Sequence, residues 1–412
     1  MIMERESDII IIGAGIIGSS IAYHLSQRTS KNIIVLDIDL NGRWSASELN
    51  AGGVRAEWWH EVNVSLSKAT IDFLETAPDL FGFRQKGYLW LYDEKSWKAY
   101  QSHKDIYGRV GLDIRELTPK AVNQHIPYID RLEGISGATL SQRDGIINPN
   151  LLKQHYRNEA LQKGVTFIDG AHVTKIEKNK TKKIKVTYED IRETTGKFTE
   201  TGMLDLLSKK IFSLQGPLKN LEAEILINAA GVWASGLAKG YGHEVHCEPV
   251  RRQISIFDCK ELDLSPYGMI VDTSGVYFHA EASHILAGYA TPGEPTGYNY
   301  RYDGDLFFET YIWPNLMRRM SRAEALKHLT GWAGHYSQTP DRSGIMGKVD
   351  AEAEIYEAHS FTGRGVMQSY GVGLALSELI LNKRYDTIDA SGLHPDRFRN
   401  PKGKLLYEGF HI

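Results

Sequence analysis

The segment Asp8-Ile9-Ile10-Ile11-Ile12-Gly13-Ala14-Gly15-Ile16-Ile17-Gly18 constrains this fold more than any other. Its β-branched, apolar first half has the length of a strand buried on both faces, as in a parallel sheet. After the glycines, Ile17, Ile21 and Leu25 recur at helical spacing. A second apolar run, Ile33-Ile34-Val35-Leu36, ends at Asp37, about 20 residues beyond the last glycine. The pattern is a βαβ unit with a Gly-x-Gly-x-x-Gly turn in its required place. Gly13 makes the tight turn, Gly15 lets backbone approach a pyrophosphate, and Gly18 lets helix and strand pack closely. Asp37 is placed to accept hydrogen bonds from a ribose. The unit points to a bound dinucleotide and leaves NAD and FAD as equal alternatives.

Composition narrows the class. With 412 residues the chain has room for two or three domains. Lys and Arg number 48 against 51 Asp and Glu, a net charge of −3. That balance has no basic excess for holding a phosphate backbone, so nucleic acid is not an expected partner. Two cysteines, Cys247 and Cys259, fit a reducing compartment. The first residues carry mixed charge, with no apolar core of a leader peptide. The early apolar run is too short for the roughly 20 residues of a membrane-spanning helix. A cytoplasmic protein with no transmembrane segment is expected. The 39 glycines are the compositional excess, and their placement carries the rest of the reading.

Three more glycine clusters follow. Ser47-Glu48-Leu49-Asn50-Ala51-Gly52-Gly53-Val54-Arg55 comes just after the second apolar run. Ile225-Leu226-Ile227-Asn228-Ala229-Ala230-Gly231-Val232-Trp233 is a strand ending in small residues. Phe361-Thr362-Gly363-Arg364-Gly365-Val366-Met367 leads into a helix apolar on most faces, hence buried. Together with Gly87-Tyr88-Leu89-Trp90-Leu91, Asp144-Gly145-Ile146-Ile147-Asn148-Pro149, Pro249-Val250-Arg251-Arg252-Gln253 and Thr339-Pro340-Asp341-Arg342, this ordered set resembles the D-amino-acid oxidase superfamily of FAD enzymes. Within it the chain is most similar to the sarcosine oxidase, dimethylglycine dehydrogenase and proline dehydrogenase β-subunit branch. The resemblance selects FAD over NAD.

The resemblance implies an α/β (α+β) fold: a Rossmann-like FAD-binding domain interleaved with a mixed-sheet substrate domain. The FAD domain would comprise residues 1–84, 145–246 and 337–394, the substrate domain 85–144 and 247–336, and residues 395–412 a C-terminal extension. Gly87 to Tyr92 and Gly275 to Ala290 carry strand-like residues, and residues 315–330 read as a helix. Implied FAD contacts are Gly13, Gly15, Ile17, Gly18, Asp37, Ser47, Asn50, Ala51, Gly52, Gly53, Val173, Ala230, Gly231, Trp233, Gly363, Arg364, Gly365, Val366 and Met367. Backbone N–H groups where the last helix begins would stabilise negative charge on the reduced flavin. No metal site is indicated.

Four positions depart from the family and shape the expected chemistry. Arg55 matches the arginine that binds the substrate carboxylate in monomeric sarcosine oxidases, a role suited to its planar fork of donors. Tyr336 stands where glycine and D-amino-acid oxidases place a carboxylate-binding arginine. Leu286 stands where sarcosine oxidases carry an oxygen-activating lysine, so a dehydrogenase is expected rather than a fast oxidase. Gly334 occupies a position where some relatives attach flavin through cysteine, so FAD is expected to be non-covalent. Met367 replaces a second carboxylate-binding cation, which predicts a less cationic pocket.

The expected activity is FAD-dependent oxidation of a C–N bond of a small amino acid or secondary amine. Sarcosine, dimethylglycine or proline is the expected substrate type. Arg55, Tyr277, His335 and Tyr336 are the candidate catalytic residues. His279 and His60 read as structural. The electron acceptor stays open, with a partner subunit as one option. A non-catalytic FAD protein, resembling respiratory-complex assembly factors, and an FAD-linked hydroxy-acid or glycerol phosphate dehydrogenase are the alternatives. Between Lys175 and Lys219 there are ten lysines against six acids, an insertion near 178–219 expected to be a solvated surface excursion.

Overall fold

In the computed structural model, residues 5–179, 182–194, 199–400 and 404–409 are described. The β-branched run forms the strand Arg5–Ile12, and the glycines pass it into the helix Ile16–Ser26. Ile9, Ile10 and Ile11 are fully buried. The reason is their place in the sheet: parallel partners flank them on both sides, Ile225–Asn228 and Ile33–Leu36.

This first sheet has eight strands. Along one path lie Ile345–Lys348, Glu354–His359, Leu218–Asn228, Arg5–Ile12, Ile33–Leu36 and Thr166–Ile168. Ile184–Asp190 pairs antiparallel with Leu218–Asn228, and Ala171–Lys178 pairs antiparallel with Ile184–Asp190. The helices Ile16–Ser26 and Gly365–Asn382 lie on one face, and Glu61–Glu75 packs on Gly365–Asn382. They cross closely because Gly371 lies against Leu66 backbone, and Gly373 lies against Ser20 and His24, with no room for a side chain at either glycine.

A second eight-stranded sheet runs in the order Lys327–Gln338, Glu248–Asp258, His284–Tyr289, Tyr277–Glu281, Met269–Val271, Tyr88–Tyr92, Gly137–Ser141, Arg115–Leu117. It is antiparallel except where Met269–Val271 runs parallel to Tyr88–Tyr92. Alternation divides its strands between two cores. Tyr88, Trp90, Ile254, Met269 and Tyr277 face the core shared with the first sheet. Leu89, Leu91, Phe257, Ile270 and Phe278 face a second core closed by Ile312 and Leu316. One face of this sheet is therefore turned toward the glycine-rich turns.

Two expectations are corrected. Residues 315–330 are not one helix: Trp313–Arg319 is helical, Met320 turns extended, and the strand Lys327–Gln338 follows a 3₁₀ turn. Pairing with Glu248–Asp258 overrides local helix propensity there. The inserted segment is also more than a solvated excursion. Its helix Glu200–Leu207 is capped by Thr199 Oγ1, which accepts from Gly202 N–H. Its apolar side, Met203, Leu206 and Leu207, packs with Ile191 and Leu214 against Trp44 and Trp233. Among the described residues no helix is long and apolar enough to cross a membrane.

Candidate functional site

The first glycine-rich turn is shaped by its neighbours. Gly13 has φ +100°, and a Cβ there would lie 2.5 Å from the Ala229 carbonyl oxygen. Only glycine combines that backbone angle with that approach. A side chain on Gly18 would run into the Gly13 carbonyl, so Gly18 serves close packing and, unlike Gly13 and Gly15, does not line the cavity. Asp37 holds the turn: its carboxylate accepts from Ala14 N–H at 2.5 Å and from Asp39 N–H at 2.8 Å. Burial raises the Asp37 pKa, and these two donors oppose that rise. Ser47 Oγ accepts from Ile16 N–H at 2.9 Å, which ties the second cluster to the helix start. Asn50 Oδ1 accepts from Gly52 N–H at 2.7 Å and bends that cluster under the cavity.

A cavity of about 740 Å³ runs from this turn past Ala229–Trp233 and Gly52–Gly53 to Gly363–Met367. Every other FAD-contact expectation, from Ile17 and Asp37 through Val173 to Met367, lines it. The residues fit an extended dinucleotide: glycine backbone at the strand ends, a half-buried acid at one end, and the N-terminus of a helix whose Gly15 N-cap supplies no side-chain cap.

At the Asp37 end the inserted segment forms part of the wall, which sequence reasoning missed. Leu206, Leu207, Lys209 and Phe212 line the cavity beside His172 and Val173. Trp233 Nε1 donates to the Leu207 carbonyl at 2.9 Å and locks the segment down. Burial alone pushes the Lys209 ammonium below its ordinary pKa.

At the opposite end the cavity is lined by Arg55, Tyr277 and Tyr336 with Trp58, Tyr88, Arg252, Ile254 and Met269, whereas the His335 ring packs on Tyr300 at 4.4 Å, on the other face of its strand from Tyr336. Arg55 is 2% exposed. Its guanidinium stacks on Trp58 at 3.6 Å and faces Trp90 at 4.5 Å, and its Nη1 donates to the Glu57 carbonyl at 2.9 Å. Two buried carboxyls stand behind it. Burial raises Glu57 to about 7 and Asp144 to about 8, against the pull of hydrogen bonds and of Arg55.

His335 Nε2 accepts from Asn299 N–H at 2.8 Å. Burial lowers the His335 pKa to about 4. The ring is therefore neutral, with its proton on Nδ1, which has no partner among the described residues. Burial lifts the phenols of Tyr277 and Tyr336 above their ordinary range, so both stay protonated. His279 and His60 lie elsewhere. His279 Nε2 meets the Ala51 carbonyl at 3.0 Å, and His60 Nε2 meets the Tyr407 carbonyl at 3.0 Å.

The prediction of a less cationic pocket is overturned. Met367 does line the cavity, but Arg364 and Arg252 do too. Arg364 stacks on the same Trp58 at 4.7 Å, and burial lowers its pKa to about 10. Arg252 lies 5.0 Å over the Tyr336 ring. Alternation along Glu248–Asp258 puts Arg252 and Ile254 on the cavity side, a signal present in the sequence but unused. Asp37 and Asp39, at the far end, are the only acids lining the cavity among the described residues.

Comparison with known proteins agrees with this geometry. Residues 8–379 match the family described as "DAO: FAD dependent oxidoreductase". FAD-dependent oxidoreductase domain-containing protein 1 of Xenopus laevis is 27% identical over 96% of this chain and 83% of its own length. Human mitochondrial dimethylglycine dehydrogenase is 23% identical over 96% of this chain and 45% of its own. Among solved structures, L-proline dehydrogenase from P. horikoshii superposes with a TM-score of 0.81 at 22% identity, covering 96% of this chain and 99% of that one.

Proposed function

Because the chain belongs to the DAO family of FAD dependent oxidoreductases, we propose that it oxidises the C–N bond of a small amino acid or secondary amine of the sarcosine, dimethylglycine or proline type. FAD bound along the cavity would supply the hydride acceptor: the neutral amine would lose a hydride from the carbon next to nitrogen, and water would hydrolyse the resulting iminium to a carbonyl and an amine, releasing a proton. Arg55 carries the reading. It is buried, rigidly stacked on Trp58 and presented to the cavity, as suits an anchor for a carboxylate. The printed names of the dimethylglycine and proline dehydrogenases support an amine substrate.

The chain's own groups at this end donate and position. Tyr277 and Tyr336 stay protonated. Among the described residues no lining carboxylate stands there as a base, so the substrate amine enters neutral, its proton lost to water beforehand. Leu286 is packed in the core at 3% exposure, and it leaves no lysine at that position to stabilise reduced oxygen. Dehydrogenase turnover with an acceptor other than O₂ is the preferred form of the activity.

The test is anaerobic mixing of the yellow holoprotein with sarcosine, dimethylglycine and proline, followed by the flavin absorbance. Bleaching by at least one, lost in Arg55→Met with the flavin still bound, supports the reading. An oxidised spectrum throughout a broad panel of amines sinks it.

A further inference from the structure

The strand Tyr88–Tyr92 turns three aromatic side chains toward the core shared by the two sheets: Tyr88, Trp90 and Tyr92. Trp90 faces the Arg55 guanidinium at 4.5 Å. The Tyr92 hydroxyl is already engaged, donating to Glu57 Oε1 at 2.7 Å. Tyr88 differs from both. It lines the cavity at 2% exposure, and its hydroxyl proton has no acceptor among the described residues.

The hydroxyl is fixed in place. A Cβ on Gly53 would lie 2.9 Å from Tyr88 Oη and 3.1 Å from Met269 Cε, and Met269 pairs with Tyr88 across parallel strands. The phenol tip is thus wedged against the second glycine cluster, beside Arg55, whose guanidinium carbon lies 5.8 Å from the Tyr88 ring. Burial raises the Tyr88 pKa, and the Arg55 guanidinium, by its charge and by a hydrogen bond to the hydroxyl oxygen, opposes that rise without reversing it. The phenol therefore accepts from a cation and keeps a proton to give. A hydroxyl polarised in this way donates more strongly. A cation and an adjacent O–H opening on one cavity suit a carboxylate, whose two oxygens can take one donor each.

We propose that Tyr88 is a second carboxylate-binding residue of the substrate site, donating its hydroxyl to one carboxylate oxygen while the Arg55 guanidinium binds the other. The proposal rests on the reading of Arg55 as the carboxylate anchor; the nature of the reacting bond does not enter it. Arg55 directly follows the strand Gly53–Val54 and Tyr88 begins another strand, so the two donors are held independently. A carboxylate gripped from both cannot pivot about Arg55, and the rest of the substrate is aimed rather than merely tethered.

Redox-inert thioethers test this without any turnover. The holoprotein is titrated with (methylthio)acetate and with its neutral amide, (methylthio)acetamide, and each Kd is read from the perturbed flavin spectrum. Tyr88→Phe keeps the ring against Gly53 and removes only the donor. It is expected to weaken (methylthio)acetate by about tenfold, the scale of one hydrogen bond to a charged group, and the amide by no more than about threefold. The preference for the carboxylate therefore falls, whereas a general loosening of the site would weaken both ligands alike. Equal weakening of the two, or an unchanged Kd for (methylthio)acetate, overturns the proposal. A preference lost in Tyr88→Phe in a protein whose flavin no amine bleaches would remove the amine reading and leave the carboxylate site standing. Bleaching by an amine with the preference intact in Tyr88→Phe would do the reverse.

Discussion

Gly363 and Tyr336 are in such close register that a Cβ on Gly363 would lie 2.5 Å from the Tyr336 Cζ. Gly363 also has φ +82°, so two constraints fall on one residue. This contact joins the turn before the buried helix to the strand Lys327–Gln338, which carries Tyr336. Gly363→Ala is expected to cost about 2–3 kcal/mol of stability from backbone strain and overlap together, and to lower the flavin-to-protein ratio on purification. Adding Tyr336→Leu relieves the overlap but not the φ strain, so the double variant regains only part of the loss in thermal unfolding.

The buried carboxyls behind Arg55 predict a pH dependence. Asp144 has its pKa raised from an ordinary 3.8 to about 8, and Glu57 from 4.5 to about 7. For a raised carboxyl the stabilising contribution is complete below the ordinary value and is lost as pH climbs through the raised one. The wild type is therefore expected to lose Tm as pH rises from about 4 to about 8, the interval between the ordinary and raised values, and Asp144→Asn to lose less over the same interval. Ionising these groups also places negative charge near Arg55, so (methylthio)acetate binds more weakly at pH 9 than at pH 6. A flat affinity across that interval contradicts the coupling.

The inserted segment should matter for one half of the cofactor only. Lys209 and Phe212 line the cavity at the Asp37 end, where the adenosine half of FAD would lie and FMN would not reach. Phe212→Ala and Lys209→Met are each expected to weaken FAD binding by about three- to tenfold, the scale of one lost apolar or polar contact. FMN affinity should stay unchanged. Flavin fluorescence quenching on titrating apoprotein reads both constants, and equal losses for FAD and FMN would contradict the assignment.

The C-terminal stretch 404–409 acts as a strap. Glu408, fully buried, accepts from Trp59 N–H at 2.9 Å, His60 N–H at 3.2 Å and Asn63 Nδ2 at 2.7 Å. Leu406 N–H donates to Asp341 at 3.0 Å, beside the Arg397 pair. Glu408→Ala strands three donors and is expected to cost about 3 kcal/mol or more, visible as an earlier urea midpoint. Nothing in the sequence pattern announced this role, because it depends on one acid meeting backbone donors some 350 residues away.

The sequence by itself determined the dinucleotide frame. The strand–turn–helix at Asp8–Leu25, the acid at Asp37, the small residues at Ala229–Gly231 and the buried last helix are local patterns. Each is dictated by backbone geometry within a few residues, and the cavity gathers all of them except Gly18, which packs behind it. Tertiary structure alone decided the charge at the Arg55 end of the cavity and the wall at the other. Arg252, Arg55 and Arg364 are distant in sequence and meet only because two sheets face each other across Tyr336 and Trp58. The lysine-rich insertion read as a solvated surface from its composition, yet its apolar side turns inward against Trp44 and Trp233. Charge and burial at these places are set by which neighbours arrive from elsewhere in the chain, and no window along the sequence contains that information.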